Sequence, residues 1–220
     1  MKGYFSLLTM RPAGVKALWT PQGLDEYRLH QSIWKVFTED AGEARSFLFR
    51  EKESDGAPTY YAVSRTAPRE DDPWWGVASK AYAPVVAAGD QYAFSVRLNA
   101  SRSHREGETR REVRHDAVLH HLKQNPDLDR NEACQEAAEA WLGERASRNG
   151  FALRGLVVDS WEPRKLQPAG KEPIHFHALD LHGLLQVTDE ESFQRLLFEG
   201  LGRSRGFGCG LFLVKPRPLS

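Results

Sequence analysis

The chain has 220 residues, enough to bury one large core or two smaller ones of about 100 residues each. Thirty basic and thirty acidic side chains cancel to zero formal charge, which excludes a uniformly basic nucleic-acid binder. The charge is nevertheless segregated: the stretch from Asp127 to Glu144 is acid-rich, whereas Arg203 to Arg217 holds basic residues and no acid, so one face can still attract a polyanion. Cys134 and Cys209 are the only cysteines and lack Cys-x-x-Cys spacing, so neither a disulfide framework nor a thiolate zinc site is expected, and a reducing cytoplasm fits.

Taken in order, Tyr4 to Met10 is apolar but short and interrupted by Ser6 and Thr9, the mark of a strand rather than a signal peptide. A loop containing proline and glycine runs to Gly23. Asp25 then caps a helix over Glu26 to Thr38, whose Leu29, Ile33, Val36 and Phe37 share one side. At about 100° per residue, Tyr27, His30 and Trp34 form a second stripe beside that apolar face. Arg45 to Arg50 and Thr59 to Ser64 read as a hairpin turning at Asp55-Gly56. A polar, tryptophan-bearing loop from Arg69 to Trp75 follows. Ala81 to Ala88 is a weak helix because it contains Pro84, and Gln91 to Leu98 is the next strand. This β-α-β-β-(α)-β order is that of a ferredoxin-like unit over residues 1–100.

Ser101 to Arg114, rich in arginine and glutamate, reads as a solvated loop or hairpin. Asn131 to Asn149 is a helix capped by Asn131 and stopped by Gly150. Phe151 to Trp161 and Ile174 to Val187 alternate like strands around a connection that carries Arg164, Lys165 and Lys171. Thr188 or Asp189 caps a last helix. Gly200 to Leu211 then packs five glycines and two arginines into twelve residues, and Leu211 to Val214 closes the chain as a strand. Residues 101–220 therefore repeat the pattern if a strand near Arg97 supplies its first member. The expected class is α+β, two tandem ferredoxin-like (βαββαβ) domains. No stretch approaches a membrane span.

The glycine-rich stretch is the most distinctive feature. Glycine has no Cβ to hold a phosphate away from the backbone and it permits φ > 0, so successive N–H groups can turn toward one anion. A tight helix-to-strand turn is the plainer reading of the same residues.

Four segments resemble the CasE family of CRISPR-repeat endoribonucleases, the RNA-processing subunits of type I-E systems. They are Tyr27-Arg28-Leu29-His30-Gln31 leading to Trp34; Phe47-Leu48-Phe49-Arg50; Ala140-Trp141-Leu142 with Gly150-Phe151; and the glycine-rich stretch, close to the family's Gly-x-Gly-x-x-(Arg/Lys)-x-x-Gly-x-Gly-Leu. Arg97-Leu98-Asn99-Ala100 departs from the family's usual Arg-Ala-Asn-Pro. The resemblance implies metal-independent cleavage of a CRISPR repeat RNA hairpin at the 3′ base of its stem. The CRISPR RNA product then stays bound beside the other Cascade subunits, with no cofactor, no metal and no membrane partner.

Such cleavage uses the substrate's own 2′-hydroxyl, so the protein must move protons and steady the phosphorane charge. His30 suits the proton transfers, as acid or base. Tyr27, one helical turn earlier, can reach the same phosphate and orient it. Arg203 and Arg205, with the amides around Gly200, Gly202, Gly206, Gly208 and Gly210, are candidates for the RNA backbone. Arg164, Lys165 and Lys171 form a basic hairpin suited to a stem, which offers phosphate and shape rather than readable edges. Arg97, Arg102 and Arg105, with Arg110, Arg111 and Arg114, add charge midway. Two alternatives stay open. One is a non-catalytic hairpin-binding subunit. The other is a metal-dependent hydrolase built on His175, His177 and His182.

Overall fold

The computed structural model describes residues 1–21, 23–38, 45–54, 56–106 and 111–217, with backbone alone at 103–106 and 111–114. In chain order the elements are β1 (Gly3–Met10), α1 (Pro12–Leu18), β2 (Trp19–Thr20), β3 (Gly23–Leu24), α2 (Glu26–Phe37), β4 (Phe47–Lys52), β5 (Thr59–Ser64), β6 (Trp75–Tyr82) and β7 (Gln91–Leu98). They continue with β8 (Ser101–Glu106), β9 (Arg111–Asp116), α3 (Ala117–Gln124), α4 (Arg130–Ala146), β10 (Phe151–Leu166), β11 (Ile174–Val187), α5 (Glu190–Glu199) and β12 (Leu213–Pro216).

Two antiparallel four-stranded sheets organise the chain, in the orders β4-β5-β1-β6 and β10-β11-β7-β12. Counted within each unit, both orders read second, third, first, fourth, the pairing of a ferredoxin-like βαββαβ unit. The fold is two such units in tandem. The strand Gln91–Leu98 is not the last strand of the first sheet, as its place in the sequence suggested. It pairs with both β11 and β12 in the second sheet, so the chain passes between sheets at residues 83–90, ahead of the expected division at residue 100. The fourth strand of the first sheet is instead β6, paired along its whole length with β1. Only Trp75 of β6 is buried, and apart from Val77 and Tyr82 the rest is glycine, alanine, serine and lysine with weak strand preference. Its partner, not its own sequence, makes it a strand. No helix forms at residues 81–88, and residues 65–74 cross over as a loop.

Alternation along the first sheet buries both of its faces. Phe47, Phe49, Tyr60 and Ala62 meet Leu29, Ile33, Val36 and Phe37 of α2. Leu48 and Val63 point the other way, onto Phe198 of α5 and Leu211 of the second unit. That second cluster welds the units together. The second sheet carries α4 and α5 on a core that includes Val96, Leu98, Trp141, Phe151, Leu181 and Phe193.

Helix ends follow their local chemistry. The Asp25 side chain accepts from the Arg28 N–H at 3.0 Å and Asp189 from the Ser192 N–H at 2.8 Å. In α4 the cap is Asp129 rather than Asn131, because Asp129 and Glu132 form a reciprocal capping box. Gly150, with φ +73°, ends the 3₁₀ turn Ser147–Asn149 that follows the helix. The Asp55-Gly56 turn involves Asp55, outside the described residues, although β4 and β5 pair as expected. Helices α1 and α3, absent from the sequence expectations, fill loops on either unit. The basic connection is longer and more regular than expected: β10 runs on to Leu166, and its pairing with β11 extends to Leu166↔Ile174. A two-stranded ribbon thus projects past the second sheet.

Candidate functional site

Helix α2 is held in place at its middle. Ser32, buried in its middle, donates to the Leu29 carbonyl at 2.7 Å and accepts Trp75 Nε1–H at 3.1 Å. Asp72 in turn accepts the Trp74 and Trp75 amides at 2.8 and 3.0 Å. This ties the helix to β6 and presents His30 at its edge.

His30 lies where the two units meet. A cleft of about 380 Å³ takes one wall from Leu24, Glu26 and His30, and another from Arg164, Leu166 and Phe176 of the ribbon. Glu51, Arg97, Phe207 and Gly208 complete it. The imidazole packs against Phe49, with centroids 5.5 Å apart, and against Phe207 at 5.6 Å. Burial first, then the Arg164 charge, pushes its pKa down from the ordinary 6.5 to about 4, so the ring is neutral at neutral pH. Among the described residues its buried Nδ1 has no hydrogen-bond partner, nor has Trp34 Nε1. Orphaned polar atoms of this kind are uncommon in folded proteins and call for a cause. On its other side His30 borders a second hollow, shared with Tyr27, Gln31, Trp34, Lys35 and Gly206.

The glycine-rich segment folds as a closed bend. Gly200, Gly202, Gly208 and Gly210 all have positive φ, and Ser204 does so at +53°. At Gly200 the requirement is steric as well, since a Cβ there would lie 2.7 Å from the Gly210 carbonyl. The bend closes on itself through Leu201 N–H to Gly210 O at 3.1 Å, and on β7 through Gly210 N–H to Arg97 O at 2.7 Å. Asn99 Nδ2 donates to Ser204 Oγ at 2.7 Å. The amides of Gly200 and Gly210 therefore have intramolecular partners, Leu196 O and Arg97 O. The segment brings Phe207 over His30, leaves Arg203 exposed and directs Arg205 Nη1 to the Glu199 carbonyl at 2.6 Å.

A second charged group lies beside the cleft. Asp180 accepts two bonds from Arg97, Nε to Oδ1 and Nη2 to Oδ2, both at 3.0 Å. Arg50 of the first unit approaches the same carboxylate at 3.5 Å and donates to Ser95 Oγ at 2.7 Å. Arg97 reaches back to Glu51 at 3.5 Å. The Arg50–Asp180 and Arg97–Glu51 pairs cross from unit to unit.

The candidate residues separate accordingly. His30, Arg97, Arg164 and Gly208 line the cleft, with Tyr27 and Gly206 in the adjoining hollow. Lys165 and Lys171 are exposed on the ribbon. Arg102 turns away to Glu144 of α4 at 2.7 Å. The side chains of Arg105, Arg111 and Arg114, and all of Arg110, lie outside what is described. The three histidines are separate: His182 faces Asp159 at 2.8 Å, His177 stacks on Trp161 and faces Asp116, and His175 is exposed. Among the described residues, no three His, Cys, Asp or Glu side chains come close enough to hold a metal.

Residues 4–216 match a family described as CRISPR associated protein. The chain belongs to that family. The chain is 23% identical over 195 residues to the CRISPR system Cascade subunit CasE of Escherichia coli (strain K12), covering 87% of this chain and 92% of that protein. Its fold is similar to Thermus thermophilus Cse3 bound to an RNA representing a pre-cleavage complex, with TM-score 0.74, 20% identity, and coverage of 98% of this chain and 100% of that one. Cas6e from Escherichia coli str. K-12 gives TM-score 0.68 at 19% identity, covering 97% and 100%. The likeness to CasE proteins read from the motifs stands on these matches, as does the tandem ferredoxin-like fold.

In this CRISPR associated protein the structure adds residues that sequence reading did not single out. Phe207 shields the histidine. Arg45 stands beside Gly206, and burial together with the Arg205 charge lowers its pKa. Phe207 lies within the glycine-rich stretch and Arg45 far from it in sequence, and only the bend brings the two to the site. Cys209 is fully buried and its thiol is pushed up to about 12 by burial, which leaves it unreactive. Among the described residues, no helix is long and apolar enough to cross a membrane.

Proposed function

We propose that this CRISPR associated protein is a metal-independent endoribonuclease that binds the stem-loop of a CRISPR repeat RNA. It cuts the precursor at the 3′ base of the stem and keeps the product within a complex of Cascade subunits. The observation that carries the reading is His30: a neutral, half-buried imidazole whose Nδ1 is orphaned, set between the Arg164 side of one cleft and the Tyr27 side of the next. The structural relatives fit it, being described as a CRISPR endoribonuclease bound to 19 nt RNA and as a CRISPR RNA-guided surveillance complex.

In the proposed reaction, neutral His30 takes the proton of the 2′-hydroxyl as O2′ bonds to phosphorus. The P–O5′ bond breaks, and the leaving oxygen receives a proton from the imidazolium just formed. The ends are a 2′,3′-cyclic phosphate and a 5′-hydroxyl. Tyr27 orients the phosphate by hydrogen bonding, and Arg164 with Arg205 offsets the phosphorane charge. Lys165, Lys171 and Arg203, exposed on ribbon and bend, hold the RNA backbone. The test is cleavage of a repeat hairpin in excess EDTA by the native chain and by His30→Ala. The reading requires cutting by the former and none by the latter. Loss on chelation, or full activity in the variant, overturns it.

A further inference from the structure

The cleft has an apolar rim that the reaction above does not use. Trp19 lines the cleft with His30 and Arg164, yet is 65% exposed. An indole left in water forgoes a large burial term, so its place at a binding cleft needs a reason. The side chain does not hang from a loose loop. Trp19 pairs with Leu24 across the short β2–β3 ladder, and Asp25 N–H donates to the Leu18 carbonyl at 2.9 Å. Asp25 is also the cap of α2. The indole is thus built onto the same rigid unit as the imidazole. Beyond it lies a shallow groove bordered by Trp19, Pro12, Val15 and Lys16, in which Lys16 is exposed. A cation therefore borders each of the two hollows that the indole lines, Arg164 in the cleft and Lys16 outside it. That alternation of charge and ring is how proteins hold single-stranded nucleic acid, phosphates on the cations and bases on the rings.

We infer that Trp19 is a stacking platform for one unpaired nucleobase within two nucleotides of the cut, with Lys16 receiving the phosphate beyond it. The inference rests on the endoribonuclease reading and extends it from stem to flanking strand. A ring accepts any base face, so the platform contributes affinity and direction rather than sequence preference.

The test is equilibrium binding of a repeat hairpin carrying both flanks and a 2′-deoxy sugar at the cut. Abasic sites are placed in turn at the two nucleotides on either side of it. Trp19→Ala should weaken binding by about 5- to 150-fold, Trp19→Phe much less. One abasic position should weaken native binding by a similar factor, and that loss should not recur in Trp19→Ala. Lys16→Gln should lower the slope of log affinity against log salt by about 0.7. Because Trp19 is exposed, its replacement leaves the core unchanged; a matching thermal midpoint confirms this. Equal affinity of Trp19→Ala and the native chain overturns the inference, as do losses that multiply independently at every abasic position. If the native chain holds the hairpin no better than an unrelated duplex, the endoribonuclease reading itself fails.

Discussion

Two polar groups meet at the seam between the units and are treated in opposite ways. Asp180 is saturated: Arg97 grips it with two bonds, Arg50 approaches from the other unit, and Ser160 Oγ donates at 3.3 Å. His30, at the same seam, is half-buried, its Nδ1 without a partner among the described residues and its charge suppressed. A satisfied network holds two domains in one geometry. An unsatisfied group keeps its hydrogen-bonding capacity for something else. The contrast teaches that the seam divides its labour, with one side locking the units and the other left open for chemistry.

The comparison breaks first at His30. His30→Ala should lower the cleavage rate by about 10²- to 10⁴-fold while RNA affinity stays within severalfold, read by single-turnover assay and filter binding. Removing the lock is a matter of folding: Asp180→Leu leaves two partly buried guanidiniums without their carboxylate. It should cost about 3 kcal/mol, or roughly 6–12 °C in thermal midpoint for a chain of this size. Asp180→Asn should be milder.

Acid titration sharpens the contrast. The unfolded chain protonates His30 near pH 6.5, whereas the folded chain resists until about pH 4. Stability should therefore be full above pH 6.5 and fall as pH drops toward 4, by about 3 kcal/mol from this group. His30→Asn should flatten that limb in urea titrations, and an unchanged limb would mean the ring is solvated. At the bend, Gly200→Ala introduces a Cβ at φ +69° against the Gly210 carbonyl and should destabilise by about 1–3 kcal/mol. The smallest effect belongs to Arg164→Gln, which should move the His30 titration upward in an NMR pH series, since Arg164 contributes to the lowering.

How far such a site can be read without coordinates depends on where each signal is stored. The stripe Tyr27, His30, Trp34 is local, because helix periodicity puts those residues side by side whatever surrounds them. The caps at Asp25 and Asp189 and the glycine stop at Gly150 are local too. Strand β6 was illegible because a polar edge strand takes its conformation from a neighbour distant in sequence, here β1. For the same reason β7 could not be assigned to a sheet, since an amphipathic strand fits either one. Phe207, Arg45 and Arg50 look like ordinary loop and strand residues until the bend and the seam bring them to His30 and Asp180.

The amino-acid order alone determined the three longest helices, most strands, the cap at Asp25, the histidine stripe and the glycine bend, because each follows from contacts within a few residues or from backbone freedom at glycine. Tertiary structure alone decided which sheet owns β7, that the imidazole is half-buried and neutral, and that Arg97 bonds Asp180. Burial, dielectric environment and long-range pairing are properties of the assembled whole, and no window of sequence contains them.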